Sequence, residues 1–184
     1  MNLGAETEQV EHKKSTSELK EGMQSIAAIL NKHSAGELYF GVRDNGEVIG
    51  QQTGARTLRD VSQTITTSIE PRVYATVEKL QADDDKTYIK VTFNGNERPY
   101  SCRGTYRIRV ADEDLAMSTA QLESLMLERL NRREPWDARA SLRPISDVDE
   151  KTLKDYIERG NANGRISFEY DGVEPVLERM GLLT

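Results

Sequence analysis

The chain has 184 residues, of which 36% are hydrophobic and 30% charged, and a formal net charge of −6. That length suits one domain of ordinary size plus an appendage. No apolar run approaches the ~20 residues that a membrane helix needs, and a single cysteine, Cys102, excludes an internal disulfide framework or a multi-cysteine zinc site.

Charge is unevenly spread. Residues 1–110 carry 15 Lys+Arg against 15 Asp+Glu, and residues 111–184 carry 10 against 16. No domain is basic enough to argue for nucleic acid on charge alone, but a local basic patch in the neutral part stays open. Met1 to Lys14 is polar and does not read as a signal peptide, so a cytoplasmic protein without membrane contact is expected.

Glu6 to Lys14 holds one apolar residue, Val10, and its charge pattern favours a frayed tail. As a strand it would put Glu6, Glu8 and Val10 on one face and Glu11 on the other. A bend would then be needed to bring Glu6 and Glu11 together. Ser15 to Glu18 fits a capping box. Leu19, Met23, Ile26, Ala27 and Leu30 follow at helical spacing to about Lys32, and Gly36 is expected to end the helix. Glu37 to Gly50 reads as a hairpin about Asn45-Gly46, the residues that a tight turn with positive φ prefers. Thr57 is expected to cap a second helix (Leu58, Val61, Ile65, Ile69) that Pro71 stops.

Val73–Leu80 and Thr87–Phe93 alternate as strands, and Asp83, Asp84 and Asp85 between them read as a solvated turn. Arg98 to Val110 reads as a hairpin around Gly104-Thr105. Its apolar alternation places Tyr106, Ile108 and Val110 toward the core and turns Arg107 and Arg109 away. That ribbon is either an edge hairpin made soluble by arginine or a phosphate-contacting surface. Ser118 to Gln121 forms a second capping box before a helix with Leu122, Leu125, Met126 and Leu130. Pro135, Trp136 and Pro144 mark a boundary, with Trp136 docked on a surface. Residues 1–131 are expected to form one domain. Residues 132–184 are expected to be a linker and helical segment leading into a further C-terminal region, with too few apolar residues for a core of their own.

No phosphate loop, HExxH or GxSxG occurs. His12 and His33 lack partners at ligand spacing, and Cys102 reads as a buried thiol. One constellation remains: Glu6, Glu11 and Asp44 could converge at the mouth of the hairpin, a donor set that suits Mg²⁺ or Mn²⁺. Solvent-facing carboxylates are the other reading.

The stretches Val10-Glu11-His12-Lys13, Leu30-Asn31-Lys32-His33, Ala35 to Gly46, Val48-Ile49-Gly50, Ile69-Glu70-Pro71, Arg98-Pro99-Tyr100 and Tyr106 to Val110 carry a resemblance. In this order they resemble the Alba-like DNA-binding domain (Schlafen AlbA type) at the N-terminus of many bacterial transcriptional regulators and RecG-like, ATP-binding proteins. The domain is similar to the core of Schlafen proteins, and the resemblance covers about residues 6–130. It implies an α/β (α+β) fold with helices on a small, mostly antiparallel sheet. It also implies nucleic-acid binding, with DNA favoured and RNA open. By the same resemblance, Glu6 and Glu11 have the Glu-x4-Glu spacing of Schlafen RNases, and Asp44 stands at the matching turn. His12 replaces the usual aromatic and Ala35 the first of two glycines. Phosphate contacts are assigned to Lys13, Lys14, Arg43, Arg103, Arg107 and Arg109, and binding would need no cofactor. The alternatives are a metal-dependent endoribonuclease using Glu6, Glu11 and Asp44, with Mg²⁺ or Mn²⁺ and Lys13 at the scissile phosphate, or a protein-interaction or homodimerisation module, which edge strands would favour.

Overall fold

The computed structural model describes residues 1–82, 85–133, 141 and 143–183. Trp136, Pro135, Asp83 and Asp84 lie outside the described residues. The chain divides into two units, Met1–Pro135 and Trp136–Thr184.

In the first unit, strand β2 (Ala35–Phe40) is central to a four-stranded sheet. Strand β1 (Val10–Lys13) runs parallel to it on one side and β5 (Thr87–Asn94) antiparallel on the other, with β4 (Thr76–Gln81) at the far edge. Residues 10–13 are thus no frayed tail: pairing with β2 satisfies their backbone, and Glu11 and His12 are buried. Leu38 pairs with Val91 and Phe40 with Ile89, so their shared face is apolar. Helix α1 (Leu19–Lys32) supplies Met23, Ile26, Ile29 and Leu30, and helix α2 (Ala55–Ser68) supplies Val61 and Ile65, to one continuous core. The opposite face is covered too, by a smaller cluster of Val42, Val48, Ala82 and Tyr88.

The Ser15 cap forms, but it opens a 3-10 turn, Thr16–Glu18, before α1, and Glu18 reaches back to the Lys14 N–H at 2.7 Å. Gly36 does not end α1. It lies inside β2, where a Cβ would stand 2.7 Å from Ile29 Cγ2 and 2.8 Å from both the Gln9 carbonyl and Phe93 Cζ. The expected hairpin after it is reduced to a turn: Val42 and Val48 form an isolated bridge, and no second strand follows. Thr57 is not a cap, because α2 already begins at Ala55 behind Gly54. It ends before Pro71, at a short strand β3 (Ile69–Glu70).

A second sheet has the order β3, β6 (Ser101–Cys102), β7 (Thr105–Val110) and β8 (Glu113–Ala116). Here the expected facing of β7 is overturned. Arg109 is 1% exposed, whereas Val110 is 46% exposed. The turn residues are Arg103 and Gly104, both with positive φ, and Cys102 pairs with Thr105. Cys102 is buried, and this pairing puts Arg107 and Arg109 on its face of the ribbon. Arg107 and Arg109 therefore point into the unit. Asn31, buried at the end of α1, ties the sheet to the helix through its amide, which donates to the carbonyls of Tyr100 and Arg107 at 2.8 Å each. Its Oδ1 accepts the Tyr100 N–H at 2.6 Å.

Helix α3 (Thr119–Arg133) starts at a reciprocal box in which Ser118 Oγ accepts the Gln121 N–H and Gln121 Oε1 accepts the Ser118 N–H. The second unit contains α4 (Glu150–Ala162), capped by Asp149, and α5 (Val173–Arg179). The fold is thus mixed α/β, with mostly antiparallel sheets and a helical C-terminal part. Among the described residues no helix is long and apolar enough to cross a membrane.

Candidate functional site

The end of β1 lies against the turn that follows β2. The Lys13 carbonyl accepts the N–H groups of Gly41 at 2.8 Å and Val42 at 3.1 Å, which sets Lys13 beside the segment carrying Arg43 and Asp44. Upstream, the chain makes the bend that the Glu6 and Glu11 spacing demands. Thr7 N–H donates to the Val10 carbonyl at 3.0 Å, and Thr7 Oγ1 accepts from the N–H groups of Gln9 and Val10. Glu6 N–H then donates to the Asp44 carbonyl at 3.4 Å, and Glu6 Oε1 accepts the His12 N–H at 2.8 Å.

This brings Glu6 within electrostatic reach of both Glu11 and Asp44. Burial pushes the Glu6 carboxyl above its ordinary range, and the negative charges of Glu11 and Asp44 push it the same way; the His12 N–H and the Lys13 ammonium oppose them. Glu11 is buried, and it is held from two sides. One oxygen pairs with Lys13 Nζ, and the other stands 2.6 Å from Arg109 Nη2. Arg109 in turn donates through Nη1 to Asp114 Oδ1 at 3.0 Å and through Nη2 to the Thr7 carbonyl at 3.2 Å. Asp114 Oδ2 accepts the Ser25 hydroxyl at 2.6 Å. Burial works against the Arg109 charge, but Glu11 and Asp114 outweigh it and hold the group more firmly protonated.

His12 occupies the middle of this site. It is fully buried, neither ring nitrogen has a hydrogen-bond partner, and the ring meets Tyr39 edge-on at 5.6 Å. Burial lowers its pKa, an effect that the nearby Arg43 and Asp44 backbone and the Glu11 and Asp44 charges only partly offset.

As the side chains stand, the donor chemistry suits a hard divalent cation but the arrangement is an ion-pair network. Glu11 is committed to Lys13 and Arg109, and Glu6 to the His12 N–H. Among the described residues, no group of three or more His, Cys, Asp or Glu side chains could hold a metal ion.

The six expected phosphate contacts do not form one patch. Lys14 and Arg103 are exposed. Arg43 is exposed and bonded to Glu47 at 2.5 Å. Lys13 is mostly covered and ion-paired. Arg107 is half-buried and donates to the Asp114 carbonyl at 2.9 Å. Arg109 is buried and is no surface contact. Sequence reasoning missed Asp114, whose signal was its register partner: Asp114 pairs with Arg109 across β7 and β8.

The fold is that of a small mixed α/β domain. The family model for Schlafen, AlbA_2 matches residues 6–118, more than half the chain and up to the start of α3. The chain belongs to that family. The DIP2311 protein from Corynebacterium diphtheriae is similar in structure, with a TM-score of 0.53 and 16% identity. That similarity covers 95% of this chain and 32% of the other, so the chain spans about a third of its neighbour's length. The N-terminal domain of an ATP-dependent DNA helicase RecG-related protein from Nitrosomonas europaea matches over 60% of this chain and 78% of its own, with a TM-score of 0.42 and 16% identity. No curated protein matches the sequence.

Proposed function

We propose that this chain is a nucleic-acid-binding module of a bacterial transcriptional regulator, with DNA as the favoured partner, contacting phosphates without a cofactor. The observation that carries the reading is the exposure of Lys14 and Arg103, neither in an ion pair among the described residues, with Arg43 beside them in exposure. Phosphate contact needs only a cation with reach, and it positions a domain without reading sequence.

A second reading rests on the bend that brings Glu6 within electrostatic reach of Glu11, Asp44 and Lys13. It makes the chain a metal-dependent endoribonuclease. Those three carboxylates would hold Mg²⁺ or Mn²⁺, which supplies Lewis acidity and an activated water. Lys13 would then have to leave Glu11 for the phosphate. The commitment of Glu11 to two cations favours the binding reading over this one.

The test is fluorescence anisotropy of labelled duplex DNA and structured RNA across salt, with a gel assay of the same mixtures in Mn²⁺, Mg²⁺ or chelator. Binding is expected to weaken steeply with salt, and the Lys14→Ala and Arg103→Ala variants each to flatten the log–log slope by about 1. The nucleic acid is expected to stay intact. Metal-dependent cutting that Asp44→Asn abolishes, with binding kept, would select the second reading. Absence of binding at low salt overturns the first.

A further inference from the structure

We infer that the C-terminal end of α3, with the loop between β5 and β6, forms a second phosphodiester-binding site; the inference rests on the nucleic-acid reading above and extends it to a surface that reading does not use. Arg129, Arg132 and Arg133 stand at i, i+3 and i+4, so they share one helix face. That face lies over Asn96 and Glu97, and these five residues line a concave site of about 110 Å³.

The charge there is unbalanced. Arg133 Nη2 pairs with Glu97 Oε2 at 2.5 Å, and Arg129 Nε stands 3.7 Å from the same oxygen. Arg132 donates to the Asn96 carbonyl at 2.9 Å and has no carboxylate in ion-pair range among the described residues. Three guanidinium groups thus line a site that holds one carboxylate, two of them in ion-pair range of it, and all three hold the Glu97 carboxyl below its ordinary range. Beside them Arg98 is balanced by Glu128 at 3.0 Å.

The loop that presents Glu97 is fixed from beneath. Glu97 N–H donates to the Tyr100 hydroxyl at 2.9 Å, and Gly95 N–H donates to the Ser34 carbonyl at 2.9 Å. Gly95 lies so close over buried Tyr100 that a Cβ there would fall 2.2 Å from its hydroxyl. Cations in a last helical turn also complement the helix dipole, but that effect does not call for three of them around a concave, held loop. Planar guanidinium groups with donors to spare match the oxygens of a phosphodiester, singly or in pairs. Such a ligand would displace Glu97 from part of the cluster and neutralise the surplus charge.

The experiment uses the full chain, labelled duplex DNA and structured RNA, and inorganic polyphosphate as a competitor. The variants are Arg132→Ala/Arg133→Ala and Glu97→Gln. All of these positions are exposed and α3 buries no residue, so the fold is expected to persist, checked by circular dichroism. The double variant is expected to flatten the log–log salt slope by about 2 and to weaken binding about equally for unrelated sequences. Glu97→Gln is expected to tighten binding, a gain that a purely structural ion pair would not give. If the wild type binds and the double variant keeps its slope and affinity, this inference falls while the nucleic-acid reading stands. If the wild type binds polyphosphate but no nucleic acid, or binds neither, both fall.

Discussion

A buried guanidinium is tolerable only where its charge is matched and its donors are used, because the desolvation cost is several kcal/mol per ion. In Arg109 the charge is matched by Glu11 and Asp114, and Nη1 and Nη2 are used by these two and the Thr7 carbonyl, while buried Nε has no partner; the group still joins β1, β7 and β8 in one electrostatic unit. His12 does the opposite. It is fully buried, and neither ring nitrogen reaches a partner in hydrogen-bond geometry, the Arg43 and Asp44 backbone standing near without completing a bond, so it is in the fold at a cost. An apolar ring of similar shape removes that cost, and His12→Phe is expected to match or exceed the wild type in stability at pH 7. The sign of the pH effect follows from the lowered pKa. Below about pH 6.5 the unfolded chain takes up a proton that the folded one resists. Wild-type stability then drops as pH falls through the lowered folded value. Glu6, whose pKa is raised, acts in the other direction, losing its contribution as pH rises through its folded value. Both proteins keep Glu6, so their difference isolates the histidine. Urea denaturation at pH 7 and pH 5 should show the variant's advantage widening at the lower pH; a constant gap would rule out a neutral buried His12.

At the scale of elements, most of the first sheet was legible because its apolar residues alternate: Ile89, Val91 and Phe93 are buried as that pattern requires. Two elements were not. Residues 10–13 have too little apolar character to announce a strand, and only the parallel partner β2 makes them one. In β7 the alternation pointed the wrong way, since Arg109 takes the inward position once Glu11 and Asp114 are supplied by distant segments. The carboxylates themselves were singled out by the family resemblance, but the bend that brings Glu6 toward Glu11 depends on Thr7 and on the Asp44 carbonyl, which no local pattern encodes. Gly36 is a further case, a residue that reads as a helix stop and acts as a packing residue between α1, β1 and β5. Adding a methyl group there brings contacts of 2.7 to 2.8 Å with Ile29, the Gln9 carbonyl and Phe93, and the backbone contact cannot swing aside. Gly36→Ala is therefore expected to cost about 1–3 kcal/mol, the usual range for overpacking. A denaturation midpoint equal to that of the wild type would show that β1 can move away from β2 freely.

For the whole molecule, the question is where cooperativity resides. The unit Met1–Pro135 contains the contiguous core contributed by α1, α2 and the strands, together with the smaller cluster on the far face of β2 and β5. In the unit Trp136–Thr184 the buried apolar side chains among the described residues are Ile157 and Val176, while Ile145, Tyr156 and Leu182 are exposed. Segments of about 40–50 residues rarely bury enough apolar surface to offset the entropy of ordering the chain. A fragment of residues 1–135 is therefore expected to unfold in one cooperative transition with a urea midpoint close to that of the full chain. A fragment of residues 136–184 is expected to show helical content that melts without a sharp transition, since α4 and α5 are short for independent stability. The measurement is urea and thermal denaturation of both fragments and the full chain, followed by circular dichroism. A large loss of stability in the 1–135 fragment would mean that the second unit supplies core that the first lacks, and the division of the chain into a self-sufficient domain and a dependent extension would have to be abandoned.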